Sequence, residues 1–156
     1  MTTTLEQPTA PPAAEPRDPA ELVCEETFAK LAEYAVEHLK VHRTYAREGV
    51  GQALVLLKAM CDNPGVRLVP DTSVDEFWHI FLMHTLEYSQ FCRDHNSGVF
   101  LHHVPYIDVD ITSGAAMQRT IPLLHATGYR VLDPWWGTGA SCCPPDPGCT
   151  HRPDYA

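Results

Sequence analysis

Apolar residues recur at three- and four-residue steps through the first part of the chain. Phe28, Leu31, Ala35 and Leu39 share one face, the helical period. The spacing predicts a first helix over about 20–47, ended by Gly49 and Gly51, and a short second helix over about 52–61, with Leu54, Leu57 and Met60 as its apolar side. Asn63-Pro64-Gly65 stops it. A third helix is expected from Ser73 to about His95. Its start resembles a capping box, Ser73-Val-Asp-Glu76, and Asn96-Ser97-Gly98 closes it. Residues 99–111 carry Pro105 and β-branched side chains and read as an extended segment or loop. A fourth helix, capped by Thr112 or Ser113, covers about 114–127, with Pro122 implying a kink or a later start. Residues 129–136 form an irregular segment with two adjacent tryptophans. The pattern predicts an all-α protein, an irregular bundle of about four helices with an extended His-His segment and disordered ends.

Composition divides the 156 residues into a lead at 1–19, a single helical domain at 20–136 and a tail at 137–156. The lead has five prolines and neither a basic region nor an apolar core, so it reads as disordered and not as a secretory signal. The tail is rich in Gly, Pro and Cys and is expected to be flexible. Net charge is −9, but six acids and one Arg lie before Thr27, so −5 sits at that end. The rest is only mildly acidic. No basic stripe supports nucleic-acid binding, no phosphate-cradling Gly loop supports a nucleotide cofactor, and no 18-residue apolar run supports a membrane span. Without a signal sequence, reduced thiols and a cytoplasmic location are expected.

Nine histidines then become the informative residues. On a helical projection of the third helix with Phe77 at zero, Asp75 falls at about 160° and His79 at about 200°. A carboxylate and an imidazole one turn apart can converge on one metal ion, or the carboxylate can orient the imidazole. The plain alternative is a solvated helix pair. His84 projects to the middle of the core face, where a histidine hydrogen-bonded to a backbone carbonyl is expected. Cys92 lies on the same face and reads as a packed thiol. His102 and His103 are adjacent in an extended segment, so at most one is expected to join Asp75 and His79. Asp108 and Asp110 are further oxygen donors, and His38 with His42 forms a weaker i, i+4 pair. Cys142, Cys143, Cys149 and His151 offer soft donors without the paired CxxC turns of a zinc knuckle.

The stretch Val74-Asp-Glu-Phe-Trp-His-Ile-Phe-Leu-Met-His-Thr-Leu-Glu-Tyr-Ser-Gln-Phe-Cys92, with Gly98-Val-Phe-Leu-His-His-Val-Pro105 and Met117-Gln-Arg-Thr120, resembles the glycine-rich domain-containing protein-like family. The resemblance covers about residues 50–136 and lacks that family's glycine-rich region. It implies that the Asp75/His79 pair and the His102/His103 pair belong to one motif block.

Three functions compete. The first is a transition-metal site of Asp75, His79 and one or both of His102 and His103, with His84, Cys92, Cys142, Cys143 and Cys149 as weaker donors. Zinc would suit a hydrolytic enzyme and iron an oxygen-activating one, with Glu76 as candidate acid or base and an unspecified small molecule as substrate. The second is a non-enzymatic module for a protein or peptide partner, in which the His, Trp and Cys residues are structural. The third is metal delivery or thiol chemistry by the tail.

Overall fold

The structure, a computed structural model, describes residues 13–137. The expectations for Met1–Pro12 and for the tail cysteines Cys142, Cys143 and Cys149 lie outside the described residues. The fold is all-helical, with six helices and no strand among the described residues: α1 Glu25–Leu39, α2 Arg43–Asp62, α3 Thr72–Met83, α4 Thr85–His95, α5 Val109–Thr112 and α6 Ala115–Ala126. Short 3₁₀ turns at Pro19–Leu22 and Asp133–Trp135 flank them. None of the helices is long and apolar enough to cross a membrane.

α2 is the centre of the bundle. It packs against α1, α3 and α6, and every residue from Gly49 to Leu57 is buried, as expected of a helix covered on all sides. The expected break at Gly49 and Gly51 is corrected, because both lie inside α2. A Cβ on Gly49 would stand 2.3 Å from the Phe77 ring, and one on Gly51 would stand 3.4 Å from Pro19. The glycines admit neighbouring elements; they do not end a helix. The real break comes earlier. Lys40 adopts a left-handed conformation (φ 57°, ψ 41°), and His42 Nδ1 accepts from Thr44 N–H at 3.2 Å to cap α2. His38 stays in α1, stacked on Tyr34, so His38 and His42 do not share a helix face.

The long third helix is also two helices. His84 (φ −89°, ψ 68°) separates α3 from α4. The start differs too: Asp71 is the cap, accepting from Ser73 N–H at 3.1 Å and Ser73 Oγ–H at 3.0 Å. A carboxylate two residues upstream displaces the expected Ser73/Glu76 box. Between α4 and α5 the chain runs over 99–107 without turn or bend. Asp108 then caps α5, accepting from Ile111 N–H at 3.3 Å. α6 keeps Pro122 inside it, and its buried Thr120 donates to Ala116 O and accepts from Val69 N–H, tying 66–70 to the bundle.

Both ends of the described chain close over α2. Arg17 N–H donates to Gly128 O and Arg130 N–H to Arg17 O, each at 2.9 Å, so part of the expected lead pairs with the fold. Gln52, 1% exposed, holds the C-terminal segment: its Oε1 accepts from Leu132 N–H and Trp136 Nε1–H, and its Nε2–H donates to Arg130 O. Cys24, Cys61 and Cys92 are free thiols.

Candidate metal centre

α3 begins at its Asp71 cap, and the helical repeat then places Asp75 and His79 on one side, one turn apart. Asp75 is buried at the bundle surface while His79 is half exposed. His79 Nε2 lies 3.6 Å from Asp75 Oδ2. The third group arrives from the extended segment: His103 Nε2 lies 2.6 Å from Asp75 Oδ1. One donor atom from each of Asp75, His79 and His103 falls within 4.8 Å of the others, a grouping able to hold a metal ion. The two imidazole rings are 4.6 Å apart between centroids.

His103 is held from behind. Its ring packs on Trp78 at 4.3 Å. Trp78 Nε1–H donates to Tyr88 OH at 3.1 Å, and Tyr88 O–H donates to Leu101 O at 2.7 Å. Burial pushes the Tyr88 hydroxyl well above its ordinary pKa, so it remains a donor. This chain from α3 through α4 to the backbone two residues before His103 fixes where the imidazole stands. The sequence shows Trp78 and Tyr88 as residues of the Val74–Cys92 motif stretch. Their polar ends are not visible in a hydrophobic period.

The other sequence candidates go elsewhere. His102 is exposed and packs on Phe100 at 5.1 Å, on the far side of the segment from His103. His84 Nδ1 lies 2.8 Å from Ile80 O and its ring meets Tyr34 edge-on; it is half-buried at the helix break and is not in the middle of the core. Cys92 is 2% exposed in the core. It neighbours Cys61, whose thiol burial pushes up to about 11. Glu76 is exposed on α3 and has no protein partner among the described residues. Asp108 and Asp110 are taken by arginines. Arg67 pairs with both, and Arg119 grips Asp110 through two nitrogens at 2.7 and 3.3 Å. These contacts hold both carboxyls below their ordinary pKa.

The UCP032817-like family matches residues 21–122. The chain belongs to the UCP032817-like family. Its match contains both motif blocks, Val74–Cys92 and Gly98–Pro105, and it replaces the resemblance to the glycine-rich domain-containing protein-like family, which is therefore corrected. No curated protein and no solved structure matches the chain. The family name states no activity, so function is argued from the residues.

Proposed function

We propose that this UCP032817-like protein binds a divalent transition metal, zinc or iron, through Asp75, His79 and His103. The observation that carries this reading is the convergence of two imidazole nitrogens on the two oxygens of one carboxylate. The donor chemistry supports it. Two imidazoles and one carboxylate suit zinc or ferrous iron and leave coordination positions open. The spacing is close to what an ion needs. Tetrahedral ligands at about 2.0–2.1 Å stand about 3.4 Å from one another. The 3.6 Å pair runs to Asp75 Oδ2 and the 2.6 Å pair to Oδ1, and with one donor from each residue within 4.8 Å of the others, small side-chain adjustments bring all three onto one ion. The half-exposed His79 gives an entry path.

In this reading Trp78 and Tyr88 are positioning residues that hold His103. An ion there supplies Lewis acidity or oxygen chemistry to a small molecule, and the chain's own part is to fix three ligands and leave the remaining positions to solvent.

Metal analysis of untagged protein tests the proposal. About one zinc or iron per chain is expected, with the affinity falling roughly tenfold or more in His79→Ala, His103→Ala and Asp75→Asn. Well under one metal per chain, with no uptake of added Zn²⁺ or Fe²⁺, sinks it.

One observation favours the rival reading of a structural motif in a non-enzymatic interaction module. His103 and Asp75 already satisfy one another at 2.6 Å, and neither His79 nor His103 has a protein partner at Nδ1 among the described residues. Metal-bound histidines usually donate that second N–H. On the rival reading, His103→Ala lowers Tm with no metal to lose. On the metal reading, His79→Ala weakens metal uptake roughly tenfold or more while Tm without metal stays near wild type, because His79 is half exposed.

A further inference from the structure

A cleft of about 330 Å³ opens where the two ends of the described chain close over α2. One face of α2 lines it: Thr44, Arg47, Glu48 and Gly51 follow one another at helical steps of three and four. Gly51 contributes no side chain, which keeps the cleft open. Asp18 and Arg130 line it from the N-terminal and C-terminal segments. Past Arg47 the space continues along Phe28, Val23 and Ala29 as a second hollow of about 380 Å³, which Glu25 and the Arg17-paired Glu21 also line. The charges here are not used up within the fold. Arg17, Arg43, Arg67, Arg93 and Arg119 each hydrogen-bond an acid or amide side chain. Arg47 and Arg130 are the two described arginines whose guanidinium groups do not, and they share this cleft. Arg47 lies over the Phe28 ring, 4.9 Å from its centroid, and Arg130 is anchored through its backbone. Asp18 and Glu48 pair with neither of them. Asp18 Oδ1 accepts from Ala20 N–H, and Glu48 Oε2 accepts from Trp135 Nε1–H. Their other oxygens have no protein partner among the described residues.

We infer that this cleft binds a small zwitterion of the α-amino-acid class with an apolar side chain. Two cations and two carboxylates face one small space without neutralising one another, and a zwitterion answers both signs. Its carboxylate takes the guanidinium groups of Arg47 and Arg130, whose planar forks match a carboxylate. Its ammonium takes the free oxygens of Asp18 and Glu48. Its side chain lies along Phe28 toward Val23 and Ala29. A ligand with one charge leaves the opposite pair of protein charges unmatched, so the balance selects for both. The volume is at the small end of ligand sites and suits a single amino acid. None of Asp75, His79 and His103 lines the cleft, so the inference does not depend on the metal proposal.

Titration of the full, isotope-labelled chain with L-phenylalanine and with L-leucine, followed by amide chemical shifts with chelator present, tests it. The amides of Arg47, Gly51, Gln52 and Arg130 are expected to shift saturably with at least one of the two, with a Kd of about 1 mM or tighter. Phenylpropionate, which lacks the ammonium, and phenylethylamine, which lacks the carboxylate, are expected to bind at least about fivefold more weakly than phenylalanine. Arg130→Gln and Glu48→Gln weaken the amino acid by a similar factor. Both spare the fold, because Arg130 bonds the bundle through its backbone and Gln at 48 keeps an oxygen for Trp135 Nε1–H. The absence of a saturable shift up to about 20 mM of either amino acid overturns the inference. So does equal binding of either single-charge analogue, or a set of shifts that leaves the cleft residues unmoved.

Discussion

Gly49 sets how closely α2 approaches α3. Helix propensity alone favours Ala there by about 1 kcal/mol. A Cβ, however, would stand 2.3 Å from Phe77 Cε2, well inside contact. Phe77 is 1% exposed and boxed by Tyr45 and Trp135, so its ring has nowhere to turn. Overpacking of this kind costs about 1–3 kcal/mol. The steric cost wins, and Gly49→Ala is expected to lose about 1–2 kcal/mol in urea unfolding. Gly51→Ala is the internal control, since its Cβ meets Pro19 at 3.4 Å in near-ordinary contact and keeps the propensity gain. A Gly49→Ala variant as stable as Gly51→Ala would show that the ring yields. The candidate site was half legible at this same scale. Asp75 and His79 follow from helical spacing alone. The choice of His103 over His102 does not, because alternation says that one of two neighbours turns in and leaves open which. Trp78 and Tyr88 decide it, and they act through a contact between α3 and α4 that sequence spacing cannot show.

Helix existence was read well from periodicity, and helix ends were not. Lys40 ends α1 in a left-handed conformation with no glycine to mark it, and His42 caps α2 through an imidazole nitrogen, a rare capping group. Gly49 and Gly51 look like stops until the elements packed against them are known. The α3–α4 break at His84 has no Gly or Pro signal either. Further along, Asp108 and Asp110 look like free oxygen donors, yet Arg67 and Arg119 absorb them to hold α5 against the 66–70 segment and α6. This fixes the sign of one pH effect. The arginines depress both carboxyls below the ordinary value of 3.8. Their contribution is therefore present above pH 3.8 and is lost as pH falls through the lowered folded-state value. Asp110→Asn is expected to lower Tm at neutral pH and to flatten its fall on acidification below pH 3.8. An acid limb identical to wild type would mean that the Asp110 pair adds nothing. Because the groups are partly exposed, added salt should shrink the difference.

At the scale of the molecule, one buried amide joins the ends of the fold to its centre. Gln52 is 1% exposed on the most buried stretch of α2, and all its bonds go to residues 130–136, about 80 positions away. Its Oε1 serves both Leu132 N–H and Trp136 Nε1–H, at 3.0 and 2.9 Å, while Nε2 serves Arg130 O at 3.2 Å. Arg130 in turn pairs with Arg17, so the amide also seats the N-terminal stretch. Replacing Gln52 by Leu keeps most of the volume and removes every polar partner. Trp136 Nε1–H would then be buried without a partner, at about 1–3 kcal/mol, and the part-buried Leu132 N–H and Arg130 carbonyl would lose theirs at a smaller cost, unless the segment lifts away to reach water. Lifting relieves all three groups at once. It would expose Trp135 and Trp136, which are 6% and 7% accessible in the native fold. Gln52→Leu is therefore expected to lose about 2–4 kcal/mol in unfolding and to shift tryptophan emission to the red before the main transition. Trp78 stays buried and reports the intact bundle, so Trp78→Phe in the same background separates the two signals. Native emission and wild-type stability in Gln52→Leu would show that packing of Trp135 against Tyr45 and Phe77 holds the segment without the amide.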